Sequence, residues 1–183
     1  PYKEKIIPYL HAADEAVKTL GACNCIAVNK GGLTGYNTDV TGFRLSLLDK
    51  LTPKHNKALI LGEGGAAKAV KYVLDNLNIP YLTVSRRKVL SENSIAYSAV
   101  SNDIIKEHPL IINTTPVGVY PNIHDYPQIP YGAIGNNHYL FDLAYNPEKT
   151  VFLQKGELQG AAIANGYKML VIQAEESWKI WNS

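Results

Sequence analysis

Long hydrophobic runs are missing from this 183-residue sequence. No apolar stretch approaches the length that crosses a bilayer, and the first residues carry no signal-peptide pattern. Cysteine is nearly absent as well. Cys23 and Cys25 flank Asn24; a bridge across one residue would be badly strained, and no histidine or second cysteine pair stands near enough to complete a metal site. No metal is therefore expected, and free thiols in a reducing cytoplasm are the simple reading. An excess of one charge is lacking too. Lys and Arg number 18 against 16 Asp and Glu, and a net charge of +2, evenly spread, argues against a nucleic-acid partner. There is no internal repeat and no low-complexity segment. A hydrophobic content of 46% with 19% charged residues is that of a globular protein with a real core, in one domain or one and a fraction. The chain opens on Pro1 rather than methionine and reads as entered midway.

What is present is organised around Lys57 to Val70. Ala58 to Leu61 is a short apolar run that reads as a buried parallel strand. Gly62, Gly64 and Gly65 turn the chain, and Ala66 to Leu77 has the composition of a helix. The spacing Gly62-x-Gly64-x-x-Ala67 fits the dinucleotide-binding fingerprint with alanine in the third place. Gly62 permits the tight turn, Gly64 lets the backbone approach a pyrophosphate, and Ala67 lets the helix press on the strand. Free N–H groups at the helix start, with the positive end of its dipole, then hold the phosphates. An ordinary tight turn would use the same glycines; the strand before and the helix after them favour a nucleotide site.

Before this stretch, Lys3 to Leu10 and Asp14 to Leu20 read as helical, the first kinked or interrupted at Pro8. Asn24 to Val28 and Leu33 to Tyr36 read as strands joined at Gly31-Gly32, and Gly42 to Leu51 as a helix with one buried face. After it come strands at Tyr81 to Ser85, Leu110 to Thr115 and Tyr139 to Tyr145, with a short helix at Ser101 to Glu107 and a long loop from Val117 to Asn137. Thr150 to Asn165 reads as a helix broken or ended near Gly156 or Gly160, and Lys168 to Trp181 as the last helix. Strands alternating with helices from Lys57 onward imply a parallel sheet covered on both faces. The first stretch does not share that rhythm and reads as part of another domain.

The end of the second strand of this sheet speaks to the cofactor. An Asp or Glu there would take a ribose 2′-hydroxyl, whereas Arg accommodates a 2′-phosphate. This chain has Ser85, Arg86, Arg87 and Lys88 and no carboxylate, which fits NADP. A solvated basic turn is the plainer alternative.

Several segments, in order, resemble the shikimate dehydrogenase family. They are Pro1-Tyr2-Lys3-Glu4; Leu20 to Asn24; Gly35 to Asp39 with Gly42-Phe43; Gly62 to Ala67; Asn113 to Gly118; Asp142 to Pro147; and Gly166 to Gln173. They cover the chain nearly end to end. The resemblance implies NADPH-dependent reduction of 3-dehydroshikimate to shikimate in aromatic amino acid biosynthesis. It also implies an α/β fold of two domains: a Rossmann-like NADP-binding domain over residues 39–166, and part of a substrate-binding domain over residues 1–38 and 167–183. By the same resemblance Lys3 and Asp39 are the catalytic pair, and Asn24, Tyr145 and Gln173 meet the substrate. Gly62, Gly64, Gly65, Ala66, Ser85, Arg86, Arg87, Thr114, Pro116, Val117, Leu143 and Gly166 fall to the cofactor. Read alone, Lys3 is any exposed lysine, Asp39 a helix cap and Gln173 one polar position on a buried face.

The chain departs from the family pattern in places. Glu63 puts a negative charge in the glycine turn, Ser85 replaces a frequent Asn, and Cys23 and Cys25 replace Val and Thr. The family's Ser-x-Ser substrate motif and the Asn-Val-Thr segment are not in these residues, so the chain is expected to lack the N-terminal part of its substrate domain. Residues 1–183 alone are then expected to bind NADP with very weak or no shikimate oxidation. A quinate/shikimate dehydrogenase with looser cofactor use is the nearest rival reading, and a non-catalytic nucleotide-binding module a more distant one. A homodimer is compatible with the sequence, which does not fix the assembly.

Overall fold

A computed structural model of the chain describes residues 2–86 and 93–183. Contacts divide the chain into two compact units, Pro1–Ser46 with Lys168–Ser183, and Leu47–Tyr167. The boundary expected after residue 38 lies at the first residue of one helix, and the contact boundary lies in the last turn of that same helix.

In the first unit, Pro8 confines the expected Lys3 to Leu10 helix to turns and one 3-10 turn at Ile7–Tyr9. A two-residue strand that the sequence did not announce follows, β1 (Ala12–Ala13). Helix α1 (Glu15–Leu20) is capped by Asp14, whose side chain accepts from the Val17 N–H at 2.7 Å. Strands β2 (Cys25–Asn29) and β3 (Gly32–Tyr36) form the expected hairpin, and β1 joins β3 in parallel, giving the order β1-β3-β2. Helix α2 (Thr38–Leu48) follows, with Phe43 and Leu47 fully buried.

The second unit is a Rossmann-like sheet with helices around it. Its strands are β4 (Ala58–Leu61), β5 (Tyr81–Ser85), β6 (Ser94–Ala96), β7 (Leu110–Asn113), β8 (Tyr139–Asp142) and β9 (Ala162–Ala164). Their order is β6-β5-β4-β7-β8-β9 and every pairing is parallel. Helices α3 (Gly65–Asn76), α4 (Asn102–Glu107) and α5 (Val151–Leu158) make crossovers. Every residue of β4, β7 and β8 is buried, which is why these strands read as unbroken apolar runs. Leu59, Leu61, Ile105, Ile111, Leu140 and Phe152 form the centre of one core. Each such side chain contributes about 1.5–3 kcal/mol by burial. The chain then returns to the first unit as α6 (Tyr167–Trp181), whose Trp181 Nε1 donates to the Ile26 carbonyl at 2.9 Å.

Two strands are shorter than expected, each for a local reason. β7 stops at Asn113 because its side-chain oxygen accepts from the Thr115 N–H at 3.0 Å and bends the backbone. β8 stops at Asp142 for the same reason, its carboxylate accepting from the Ala144 N–H at 3.0 Å. The helix from Thr150, expected to be broken or ended near Gly156 or Gly160, ends at Leu158. Gly160 at φ +85° turns the chain out of it, and Ala162 pairs with Tyr139 as edge strand β9.

Candidate functional site

From β4 the chain steps outward through β5 and β6, then crosses back to β7 on the other side of β4. The C-terminal ends of β4 and β7 therefore form the switch point where such sheets take ligands. Gly62 sits there at φ +107°, and a Cβ on it would come within 2.8 Å of Thr114 Oγ1 and Thr115 Cγ2. Only glycine passes. Gly64 caps α3 without any side-chain hydrogen bond, so the first amides of the helix, from Gly65 and Ala66, are left for another acceptor. A cleft of about 530 Å³ opens over this turn, lined by Gly62, Glu63, Gly64, Ser85, Arg86, Tyr97, Thr114, Thr115 and Pro116. A second, of about 310 Å³, shares Arg86, Tyr97 and Thr115 and adds Val117, Tyr126, Pro127 and Gln128.

The structure thus gathers Gly62, Gly64, Ser85, Arg86, Thr114, Pro116 and Val117 around two neighbouring clefts of one unit. Ser85 is buried and Arg86 exposed. Arg87 lies outside the described residues. Leu143 and Gly166 meet each other: the Gly166 N–H donates to the Ala144 carbonyl at 3.0 Å, and a Cβ at Gly166 would collide with the Leu143 carbonyl. Tyr97, Thr115, Tyr126 and Gln128 join the clefts without a signal of their own in the sequence. Tyr97 follows the short strand β6, and only the sheet order brings it back beside Arg86. Burial pushes its hydroxyl above the usual tyrosine range, and the Arg86 guanidinium pulls it partly back.

The first unit holds a separate cluster. Lys3 Nζ donates to Asp39 Oδ2 in an ion pair, and the Lys3 backbone is fixed by its carbonyl accepting from the Cys23 N–H at 2.8 Å. Asp39 stands in the first turn of α2. Beside it, Asn24 Oδ1 accepts from the Thr38 N–H at 2.8 Å, and Asn24 Nδ2 donates to Thr38 Oγ1 at 3.1 Å. Thr38 Oγ1 in turn lies 3.5 Å from Gln173 Oε1 and 3.2 Å from Ser177 Oγ on α6. Thr38 is thus a hub that the sequence did not reveal, tying together the segments that carry Asn24, Asp39 and Gln173. Tyr145 belongs to the other unit and is exposed. Among the described residues no group of three His, Cys, Asp or Glu could hold a metal, and no helix is long and apolar enough to cross a membrane.

A glycine turn at the switch point of a parallel sheet, an uncapped helix start and an arginine after the next strand define a dinucleotide-binding α/β protein, here with a lysine–aspartate pair in its other unit, the first. No family model matches the chain. It is 40% identical, over an alignment of 194 residues, to a protein of Methanococcus maripaludis named shikimate dehydrogenase (NADP(+)), covering 99% of this chain and 69% of that one. The solved chorismate mutase/shikimate 5-dehydrogenase fusion protein from Clostridium acetobutylicum matches with a TM-score of 0.89 at 34% identity, covering 100% of this chain and 67% of that one. Shikimate 5-dehydrogenase from Thermus thermophilus, in complex with NADP(H) and shikimate, matches with a TM-score of 0.84 at 27% identity, covering 99% and 70%. The chain belongs to the shikimate dehydrogenase family.

Proposed function

We propose that these residues supply the NADP site and the acid–base pair of an enzyme that catalyses the reversible NADPH-dependent reduction of 3-dehydroshikimate to shikimate. The observation that carries the reading beyond family membership is the Lys3–Asp39 ion pair, tied to Asn24 and Gln173 through Thr38. Residues 39–166 are assigned to NADP and residues 1–38 with 167–183 to the substrate. The glycine turn, the uncapped start of α3 and the Arg86 side chain fit a dinucleotide with a 2′-phosphate. Gly62, Gly64, Gly65 and Ala66 hold the pyrophosphate; Ser85, Arg86 and Arg87 hold the 2′-phosphate. Thr114, Pro116, Val117, Leu143 and Gly166 line the rest. When bound, NADPH supplies the hydride. Lys3 holds a proton at Nζ for the carbonyl oxygen as charge builds there, and Asp39 keeps the lysine aimed and balances its charge. Asn24, Tyr145 and Gln173 orient the hydroxyls and the ring.

The test is a steady-state assay of the intact protein with NADP and NAD against shikimate and quinate. Turnover of shikimate with NADP supports the proposal, and preference for quinate or NAD replaces it. Arg86→Ala should weaken NADP by about ten- to a hundredfold, the loss of one charge-assisted contact, and leave NAD nearly unchanged. Equal losses for both remove the 2′-phosphate assignment. Glu63 lines the same cleft and puts a like charge near the phosphates. Glu63→Gln should therefore tighten NADP by roughly two- to fivefold at low salt, fading at high salt; no change in a titration would mean the carboxylate points away. The buried free thiols of Cys23 and Cys25 support a cytoplasmic setting. Light scattering on the intact protein checks whether it forms a homodimer.

A further inference from the structure

Asp142, at the end of β8, carries a fully buried carboxylate to which the reaction assigns no part. Among the described residues no cation pairs with it. Its Oδ1 accepts from Asn113 Nδ2 at 3.1 Å and from the Ala144 N–H at 3.0 Å, and its Oδ2 accepts from Thr150 Oγ1 at 2.6 Å. Asn113 and Asp142 are register partners on β7 and β8. An ionised carboxylate only accepts, so it draws the amide nitrogen of Asn113 toward itself and leaves the amide oxygen facing the other way. That oxygen accepts from the Thr115 N–H at 3.0 Å and Thr115 Oγ1 at 2.6 Å, and Thr115 Oγ1 accepts from the Val117 N–H at 3.3 Å. Thr115 lines both clefts and Val117 one of them. On the other side, Ala144 accepts from the Gly166 N–H.

We infer that Asp142 is a positioning residue: acting through Asn113, it presets the turn of Thr115 to Val117, and through Ala144 the turn of Leu143 to Tyr145. Both turns are then shaped before any nucleotide arrives. The inference rests on the assignment of NADP to this unit. Side-chain direction does the work, since every partner of Asp142 is a donor. Asp142→Leu keeps the branched shape at a larger volume and removes the acceptor, which frees Asn113 to rotate its amide. Asp142→Asn has one orientation that serves every partner, its oxygen toward Asn113 and Ala144 and its nitrogen toward Thr150 Oγ1.

Two measurements test this. In the wild-type protein without nucleotide, the amide hydrogens of Thr115 and Ala144 should exchange at least about a hundredfold more slowly than in an unstructured chain. Rapid exchange that slows only when NADP is added would overturn the inference. By calorimetry, Asp142→Leu should weaken NADP by about tenfold or more, and Asp142→Asn by less than about threefold. Unchanged affinity in Asp142→Leu, or an equal loss in both variants, would also overturn it. Thermal midpoints recorded beside the affinities separate a loss of stability from a loss of shape. Where Asp142→Leu does not fold, the exchange experiment decides alone. Failure of the wild-type protein to bind NADP would instead remove the proposed function while leaving the exchange result readable.

Discussion

Replacing Lys3 with alanine should lower kcat for shikimate by about 10²- to 10⁴-fold in the intact protein, the range over which a positioned proton donor contributes. NADP affinity should stay within about twofold, because no Lys3 atom lines either cleft over the glycine turn. Asp39→Ala should do nearly as much damage. Lys3 is half-exposed and its carbonyl accepts from the Cys23 N–H, which fixes the backbone, so without the carboxylate its long side chain has many positions to adopt. The double variant should be little worse than either single one, since residues acting as a unit do not contribute independently. Stopped assays on the four proteins with NADP saturating give the answer. If the two losses simply multiply, the lysine and aspartate act separately and the pairing seen here is incidental.

The Lys3–Asp39 ion pair was not legible from spacing, because 36 positions separate the partners. Only family resemblance brought them together, and the contact that places Lys3 runs through the backbone of Cys23. The glycine turn was legible for the opposite reason. Its strand, turn and helix are contiguous, and each signal is local: a buried apolar run, a glycine with positive φ, and small residues pressed on the strand. Strands β1, β6 and β9 have two or three residues each and are too short to show a period in the sequence. β9 also lies in an alanine-rich stretch that favours helix by composition, and its pairing with β8 overrode that preference. Asn113 and Asp142 do leave a trace in the sequence. Leu110 to Asn113 and Tyr139 to Asp142 are apolar runs of equal length, each closed by one polar residue. In neighbouring parallel strands those closing residues meet.

That buried pair also carries the second large effect. Burial raises the Asp142 carboxyl from its usual 3.8 to about 6, against the opposing pull of its hydrogen bonds from Thr150, Ala144 and Asn113. The direction fixes the sign. A raised folded value means the folded chain keeps a proton that the unfolded chain has already released. The contribution of Asp142 to stability is therefore greatest below about pH 4, declines as pH rises through 6, and is level above that. The decline amounts to about 3 kcal/mol. Tyr131 is a further titratable group facing Asp142, and its hydroxyl is itself pushed up by burial, so it stays neutral throughout this window. His55 works the other way: burial lowers its value, so its protonation weakens the fold as pH falls. Both proteins in a comparison share His55 and the remaining carboxylates, so these cancel in a difference. Urea unfolding of wild type and Asp142→Asn should give stabilities whose gap shifts toward the variant between pH 4 and 7.5, by most of that 3 kcal/mol. Parallel pH curves would show that the hydrogen bonds fully offset the burial of the charge. If the gap opens while NADP affinity is kept, then it is the direction of the acceptor atoms at position 142, and not their charge, that shapes the two turns.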